Sequence, residues 1–174
     1  MKYADLKLND VANAPGVCVS FWVQGCPHHC PKCHNPETWS FQGGYEISEE
    51  ELTNTIFELL EKNNIKRNFS ILGGEPLCPE NLFLTTLVIK EVKKRIPYIK
   101  IYIWTGYTYE ELKSLSDYKI KYILNTIDYL IDGPYIDELR DITLPMRGSS
   151  NQRIIDLTSH KKYDTISVEN IEKE

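Results

Sequence analysis

Long apolar runs are missing from this 174-residue chain: the longest, at 17–23 and 129–131, fall far short of the roughly 18 consecutive apolar residues that a membrane span needs. A secretory signal is missing too, because charges at Lys2, Asp5, Lys7 and Asp10 interrupt any apolar stretch near the N-terminus. The expectation is therefore a protein of the reducing cytoplasm, with no membrane partner. Positive charge is also in deficit. Lys plus Arg number 20 against 25 Asp plus Glu, a net charge of −5, which disfavours a nucleic-acid binder that works by neutralising phosphates. With 41% hydrophobic and 26% charged residues the chain is neither disordered nor collagen-like. It carries no internal repeat or shift in composition, so a single domain over 1–158 is expected, followed by a polar tail at 159–174.

Evenly spread cysteine pairs are the next absence. There are five cysteines, an odd number, and three of them crowd together at Cys26, Cys30 and Cys33, leaving Cys18 and Cys78 isolated. A disulfide framework wants pairs along the chain, whereas a tight group in a cytosolic protein points to metal. Cys18 and Cys78 read as small core residues.

What is present is alternation. Positions 17–23 are β-branched and aromatic between Pro15-Gly16 and Gly25, the signature of a buried strand. Ser48 and Glu51 form a capping-box pair opening a helix over 47–63, with Leu52, Ile56, Leu59 and Leu60 at helical spacing. A strand at 68–72 runs into Gly73-Gly74, and Pro79 opens a helix over 79–96. A strand over 99–104 ends at Thr105-Gly106. A helix over 109–127, a strand over 128–131 ending at Asp132-Gly133, and a further strand over 153–157 complete the pattern. Strand–helix alternation predicts an α/β fold of parallel units with ligands at the loops after the strands. A closed eight-unit barrel takes about 250 residues, so a partial, open (β/α) barrel is expected.

The segment Gly25-Cys26-Pro27-His28-His29-Cys30-Pro31-Lys32-Cys33-His34-Asn35-Pro36 carries the chemistry. Its prolines discourage a helix, leaving three thiols on a loop able to wrap an inorganic core. Three thiolates are one short of the four that saturate an iron–sulfur cluster, and an open position is where substrate binds. The alternative is a structural zinc site completed by His34 or His29. Gly73-Gly74-Glu75-Pro76 suits close backbone approach to a ligand, with Glu75 and free carbonyls facing an ammonium; otherwise it is an ordinary turn. Thr105 and Asp132 close predicted strands, either as ligand contacts or as turn residues, with the turn favoured for Asp132. His28 and His29 read as loop surface, and His160 as part of a poorly ordered tail.

The spacing CxxxCxxC followed by Gly73-Gly74-Glu75-Pro76 resembles the radical S-adenosylmethionine superfamily. Pro15-Gly16, 21–25, Cys33-His34-Asn35 with Thr38-Trp39, Trp104-Thr105-Gly106-Tyr107, Asp132-Gly133 and 147–152 extend the likeness over about 10–155, and within the superfamily it is to the glycyl-radical-enzyme activases. The resemblance implies a partial open barrel of the radical S-adenosylmethionine type. It implies a 4Fe-4S cluster on Cys26, Cys30 and Cys33, whose open iron takes S-adenosylmethionine. Reductive cleavage would yield a 5′-deoxyadenosyl radical that removes hydrogen from a glycine of a partner enzyme. Cofactor contacts are expected from Lys32, His34, Gly73, Gly74, Glu75, Pro76 and Thr105. The implied partners are an anaerobic (class III) ribonucleoside-triphosphate reductase, through its glycyl radical domain, and a flavodoxin- or ferredoxin-like electron donor. Two features depart from the pattern: Lys32 stands where many members carry an aromatic residue, with His34 as the alternative stacking group, and Cys18 stands where activases often carry a basic one. The 147–153 segment is expected to close the site or dock the partner. Competing readings are an activase of another glycyl radical enzyme such as pyruvate formate-lyase, a small radical enzyme acting on a nucleobase precursor, a non-enzymatic metal-stapled binding module, and a simple electron carrier.

Overall fold

A computed structural model describes residues 1–159. The tail expected at 159–174, with His160, lies outside the described residues apart from Ser159. The described residues form an α/β unit built on one mixed sheet. In chain order the elements are β1 (Lys2–Asp10), β2 (Cys18–Val23), β3 (Tyr45–Glu46), α1 (Glu49–Glu61), β4 (Asn68–Gly73), α2 (Pro79–Arg95), β5 (Ile101–Trp104), α3 (Tyr109–Ser114), α4 (Tyr118–Thr126), β6 (Tyr129–Asp132) and β7 (Arg153–Asp156). The seven strands lie side by side in the order β3-β1-β2-β4-β5-β6-β7.

Strands β2, β4, β5 and β6 are parallel, with Phe21 beside Ile71, Ile71 beside Ile103 and Ile103 beside Leu130. Their two faces are both covered, which is why they read as nearly continuous apolar runs. One face, with Val19, Phe21, Phe69, Ile71, Ile101 and Ile103, packs beneath the helices. Leu52, Ile56 and Leu60 recur at every fourth position of α1 and meet that face, each contributing about 1.5–3 kcal/mol by leaving water. The opposite face bears Cys18, Ser20, Trp22, Ser70, Leu72, Tyr102 and Trp104 at the alternate positions, and among the described residues its apolar neighbours Ala14, Ile131 and Met146 belong to no helix. Cys18 sits there fully buried with Ala14, Tyr102 and Ile131, as its small apolar character predicts.

The sheet departs from the uniformly parallel one that the alternation predicts. β1 extends one edge antiparallel to β2 and carries β3 antiparallel on its outer side, and β7 closes the other edge antiparallel to β6. β1 escapes the sequence pattern because its charged positions alternate with half-buried ones such as Leu6 and Leu8, the mark of an outer strand. The 109–127 helix is two helices. Asp117 Oδ1 accepts from the backbone of Lys119 at 2.7 Å and Ile120 at 3.3 Å, so it caps a fresh helix start, and Leu115 is left 45% exposed at the break. The periodicity survives the break because Leu112, Ile120 and Ile123 all reach the core. Ser48 accepts from the Glu51 backbone as expected, while the reciprocal capping box forms at Thr108 and Glu111. Among the described residues no helix is long and apolar enough to cross a membrane.

The C-terminal ends of β2, β4, β5 and β6 deliver four loops to one end of the sheet. They are 24–44, 74–78, 105–108 and 133–152.

Candidate cluster and cofactor site

The loop after β2 is pinned at its root. Gly25 and Cys26 donate their backbone N–H groups to the carbonyls of Thr38 (2.8 Å) and Trp39 (3.0 Å), and Gln24 reaches the carbonyls of Glu37 and Ser40. Between these fixed ends the chain winds tightly: His29 and Lys32 take left-handed φ values of 48° and 55°, and the Cys33 N–H returns to the Cys30 carbonyl at 3.1 Å. Cys26, Cys30 and Cys33 are free and half-buried. Burial pushes the Cys26 thiol up to about 11 and also raises Cys30. Such thiols hold their protons in neutral water and release them to a bound metal. The Asn35 N–H already points at Cys33 Sγ, 3.4 Å away.

All three cysteines line one cavity of about 530 Å³, together with Gly73, Gly74 and Glu75 of the turn after β4. Thr105 from the end of β5 and His34 line it as well. Lys32 and Pro76 do not. Lys32 is exposed, paired with Asp137 at 2.6 Å, and faces an adjoining cleft of about 570 Å³ that shares Cys33 and His34. Pro76 is buried behind the turn, where its carbonyl accepts from the Thr85 hydroxyl. His34 stands edge-on to Tyr135 with ring centres 5.6 Å apart.

The glycine pair serves a contact that sequence reasoning missed. A Cβ on Gly74 would fall 2.3 Å from the Gly25 carbonyl oxygen, so the turn crosses the root of the cysteine loop backbone on backbone. That same carbonyl accepts from the Glu75 N–H at 2.8 Å and from the Asn81 amide at 3.1 Å. Asn81, on the first turn of α2 and 5% exposed, carried no signal in the sequence. Cys78 is fully buried beside it, its thiol pushed up to about 12 by burial and bonded to the Glu75 carbonyl, which agrees with a packing role.

Glu75 is 1% exposed, and both carboxylate oxygens are taken. One accepts from the Leu77 N–H (2.9 Å) and the Thr105 hydroxyl (2.8 Å), the other from the Gly106 N–H (2.7 Å) and His28 Nε2 (2.9 Å). The hydrogen bond to Glu75 raises the His28 pKa despite its burial. The surface reading of His28 is therefore wrong, because its ring is held inward by a buried acid. It holds for His29, which is exposed and lies against Trp39. Asp132 is likewise sealed, by Arg153 and by the Tyr109 N–H at 2.7 Å, which fits the turn reading. The 147–153 segment folds back on the end of β6: Gln152 bridges the Gly148 N–H and the Gly133 carbonyl, and Asn151 reaches the Pro134 carbonyl. Arg147 and Gly148 reach the cavity wall.

The thiols on this wall suit an inorganic cluster. Trp22 and Trp39 both line the cavity, and their indole N–H groups are buried without a hydrogen-bond partner among the described residues. Three soft thiols beside a glycine turn form a donor set that fits an iron–sulfur cluster with an organic ligand beside it. Among the described residues, no three His, Cys, Asp or Glu side chains are gathered as a ready-made site for one metal ion.

Comparison with known proteins agrees with this chemistry. A family model described as a 4Fe-4S single cluster domain matches residues 12–155. A protein of Pasteurella multocida is 37% identical over 161 residues, covering 92% of this chain and all of that protein. One of Vibrio cholerae is 36% identical over 154 residues, 88% of this chain and 97% of its own length. One of enterobacteria phage T4 is 36% identical over 157 residues, 88% and 93% respectively. Each of the three is named an anaerobic ribonucleoside-triphosphate reductase-activating protein.

Proposed function

The chain belongs to the family of anaerobic ribonucleoside-triphosphate reductase-activating proteins and carries a 4Fe-4S single cluster domain, and from that premise we propose that it is a radical S-adenosylmethionine enzyme that activates such a reductase. The observation that carries the reading is the convergence of Cys26, Cys30 and Cys33 with Gly73 and Gly74 on one cavity at the ends of parallel strands. In this reading 1–158 is one domain, and the sheet face away from α1 is the inside of a partial open barrel.

The three thiols would hold three irons of a 4Fe-4S cluster and leave the fourth open to the amino and carboxylate groups of S-adenosylmethionine. When bound, cluster and cofactor supply reductive cleavage of the sulfonium bond and removal of a hydrogen atom from a glycine Cα of the reductase. Everything else falls to the chain's own residues. Gly73 and Gly74 present backbone to the methionyl end. Glu75 and Thr105, whose polar atoms already bond within the chain, hold that backbone in place. His34 offers a ring for stacking, and Lys32, on the adjoining cleft, would offer its charge to the cofactor. Trp22, Trp39 and Trp104 wall the cavity against water, which protects a reactive species from side reactions. The electron arrives from a flavodoxin- or ferredoxin-like donor. The unpaired state of all five cysteines is consistent with the reducing cytoplasm in which such a cluster survives.

The test is anaerobic reconstitution with iron and sulfide, addition of S-adenosylmethionine and a strong reductant, and quantification of 5′-deoxyadenosine, with and without the reductase. The native chain should form product and Cys30→Ala should form none. A protein that holds zinc tightly and refuses a cluster would sink this reading in favour of a metal-stapled binding module.

A further inference from the structure

His28 lies between two of the thiols, and while its backbone N–H turns to Cys26 Sγ its ring reaches out of the loop. Its Nε2 meets Glu75, 47 positions away, at 2.9 Å. A carboxylate only accepts, so Nε2 carries the hydrogen and donates. The acceptor is almost fully buried and already gathers the Leu77 and Gly106 N–H groups and the Thr105 hydroxyl. The ring also fills a seat. A Cβ on Gly106 would fall 2.5 Å from the imidazole Cδ2 and 2.6 Å from Nε2, so the absence of a side chain at 106 is what admits it. Tyr107 flanks it edge-on, ring centres 4.6 Å apart.

We infer that His28 is a positioning residue: seated on Gly106 and bonded to Glu75, its imidazole latches the thiol-bearing loop to the turn 73–76 and to 105–107. The inference rests on the proposed reading of the site and adds to it the device that keeps its two halves in register. The backbone bonds at Gly25 and Cys26 secure the root of the loop. Farther out, Lys32 pairs with Asp137 in solvent, where such pairs hold little. The Gly25 carbonyl ties the root to the turn through the Glu75 N–H and Asn81, and His28 supplies a half-buried tie beyond it, without which the outer part of the loop, with Cys30, loses its fixed relation to the turn.

The experiment uses the full chain, reconstituted anaerobically, as native protein, His28→Ala, His28→Gln and Gly106→Ala. Iron and sulfide content and the urea midpoint are measured first. The S-adenosylmethionine dissociation constant is then read by equilibrium dialysis, together with the change the cofactor makes in the electron paramagnetic resonance of the reduced cluster. His28→Ala should retain cluster and fold, weaken binding about tenfold (about 1.4 kcal/mol) and blunt the spectral change. His28→Gln, whose side-chain N–H reaches toward the same oxygen, should recover most of both. Gly106→Ala should reproduce the loss, because its methyl group takes the seat of the ring. Native affinity and an unchanged spectrum in His28→Ala would overturn the latch, and so would a loss that Gln does not relieve or a silent Gly106→Ala. If His28→Ala takes up no iron, the Gln and Gly106→Ala proteins decide by the same criteria. A native protein that holds its cluster yet fails to bind the cofactor defeats the proposed function itself, a result visible without any substitution.

Discussion

Two buried acids, Glu75 after β4 and Asp132 at the end of β6, are each 1% exposed and are satisfied by different chemistry. Asp132 is held by a fixed positive charge: Arg153 Nε donates to it at 3.0 Å, Arg153 Nη2 donates as well, and the same guanidinium grips Glu110. These partners belong to β6, β7 and the first turn of α3, which are scaffold. Glu75 is held by neutral backbone and hydroxyl donors and by one imidazole, all from loops that face the cavity. A carboxylate with a guanidinium partner braces a sheet edge, whereas one bound by several weaker donors from separate loops sets the loops relative to each other. The first should matter to stability and the second to the site as well.

The strongest way to break that contrast is Asp132→Ala. It leaves the Tyr109 N–H without its acceptor and takes from Arg153 one of its two carboxylate partners, and should cost about 3 kcal/mol, the upper end for lost hydrogen bonds to a charged group, because Arg153 is half-exposed and keeps Glu110. Urea unfolding should show the loss while iron content after reconstitution and cofactor affinity stay native. A large fall in cofactor affinity at equal iron content would refute the scaffold role. Glu75→Gln comes next. It turns an acceptor into a donor facing Gly106 and His28, and should cost about 2 kcal/mol. Here unfolding and cofactor affinity should both worsen, and a variant that loses stability alone would place Glu75 with Asp132.

The smallest effect concerns a third acid, Asp10, at the end of β1. Burial raises its pKa, but the Ser20 hydroxyl, the Asn13 amide and the N–H groups of Ala12 and Asn13 outweigh this and hold the carboxyl below its usual range. Its folded-state pKa is depressed, so its stabilisation is complete above the unfolded value near about 4 and disappears as pH falls through the folded value. Asp10→Asn should therefore flatten the acid limb of the stability profile below about pH 4, by on the order of 1 kcal/mol. An acid limb unchanged from the native chain would show that the Asp10 bonds contribute nothing.

The legible parts of the fold and of the site were local. The buried strands announced themselves by apolar runs, α2 by Pro79, and the cysteine loop by three thiols among prolines, because each signal sits within a few residues of what it specifies. The single helix over 109–127 failed for the opposite reason: periodicity reports a shared face and is blind to a break at Asp117 that leaves the face intact. β1 was missed because alternating charges in an outer strand resemble a loop, and the direction of β7 because residue pattern is the same whichever way a strand runs. His28 was misplaced because a histidine in a polar loop gives no hint of an acid far along the chain.

By itself the sequence determined the α/β class, the crowding of Cys26, Cys30 and Cys33 on one loop, and the glycine turn that shares a cavity with them. These depend on short-range spacing, on backbone limits at proline and glycine and on side-chain chemistry. Only the tertiary structure decided that Gly74 yields space to Gly25, that Glu75 spends its oxygens inside the protein, and that His28 seats itself on Gly106. Each of these joins two strand ends distant in sequence, and the parallel register of β2, β4 and β5 is what brings those ends within reach of a hydrogen bond.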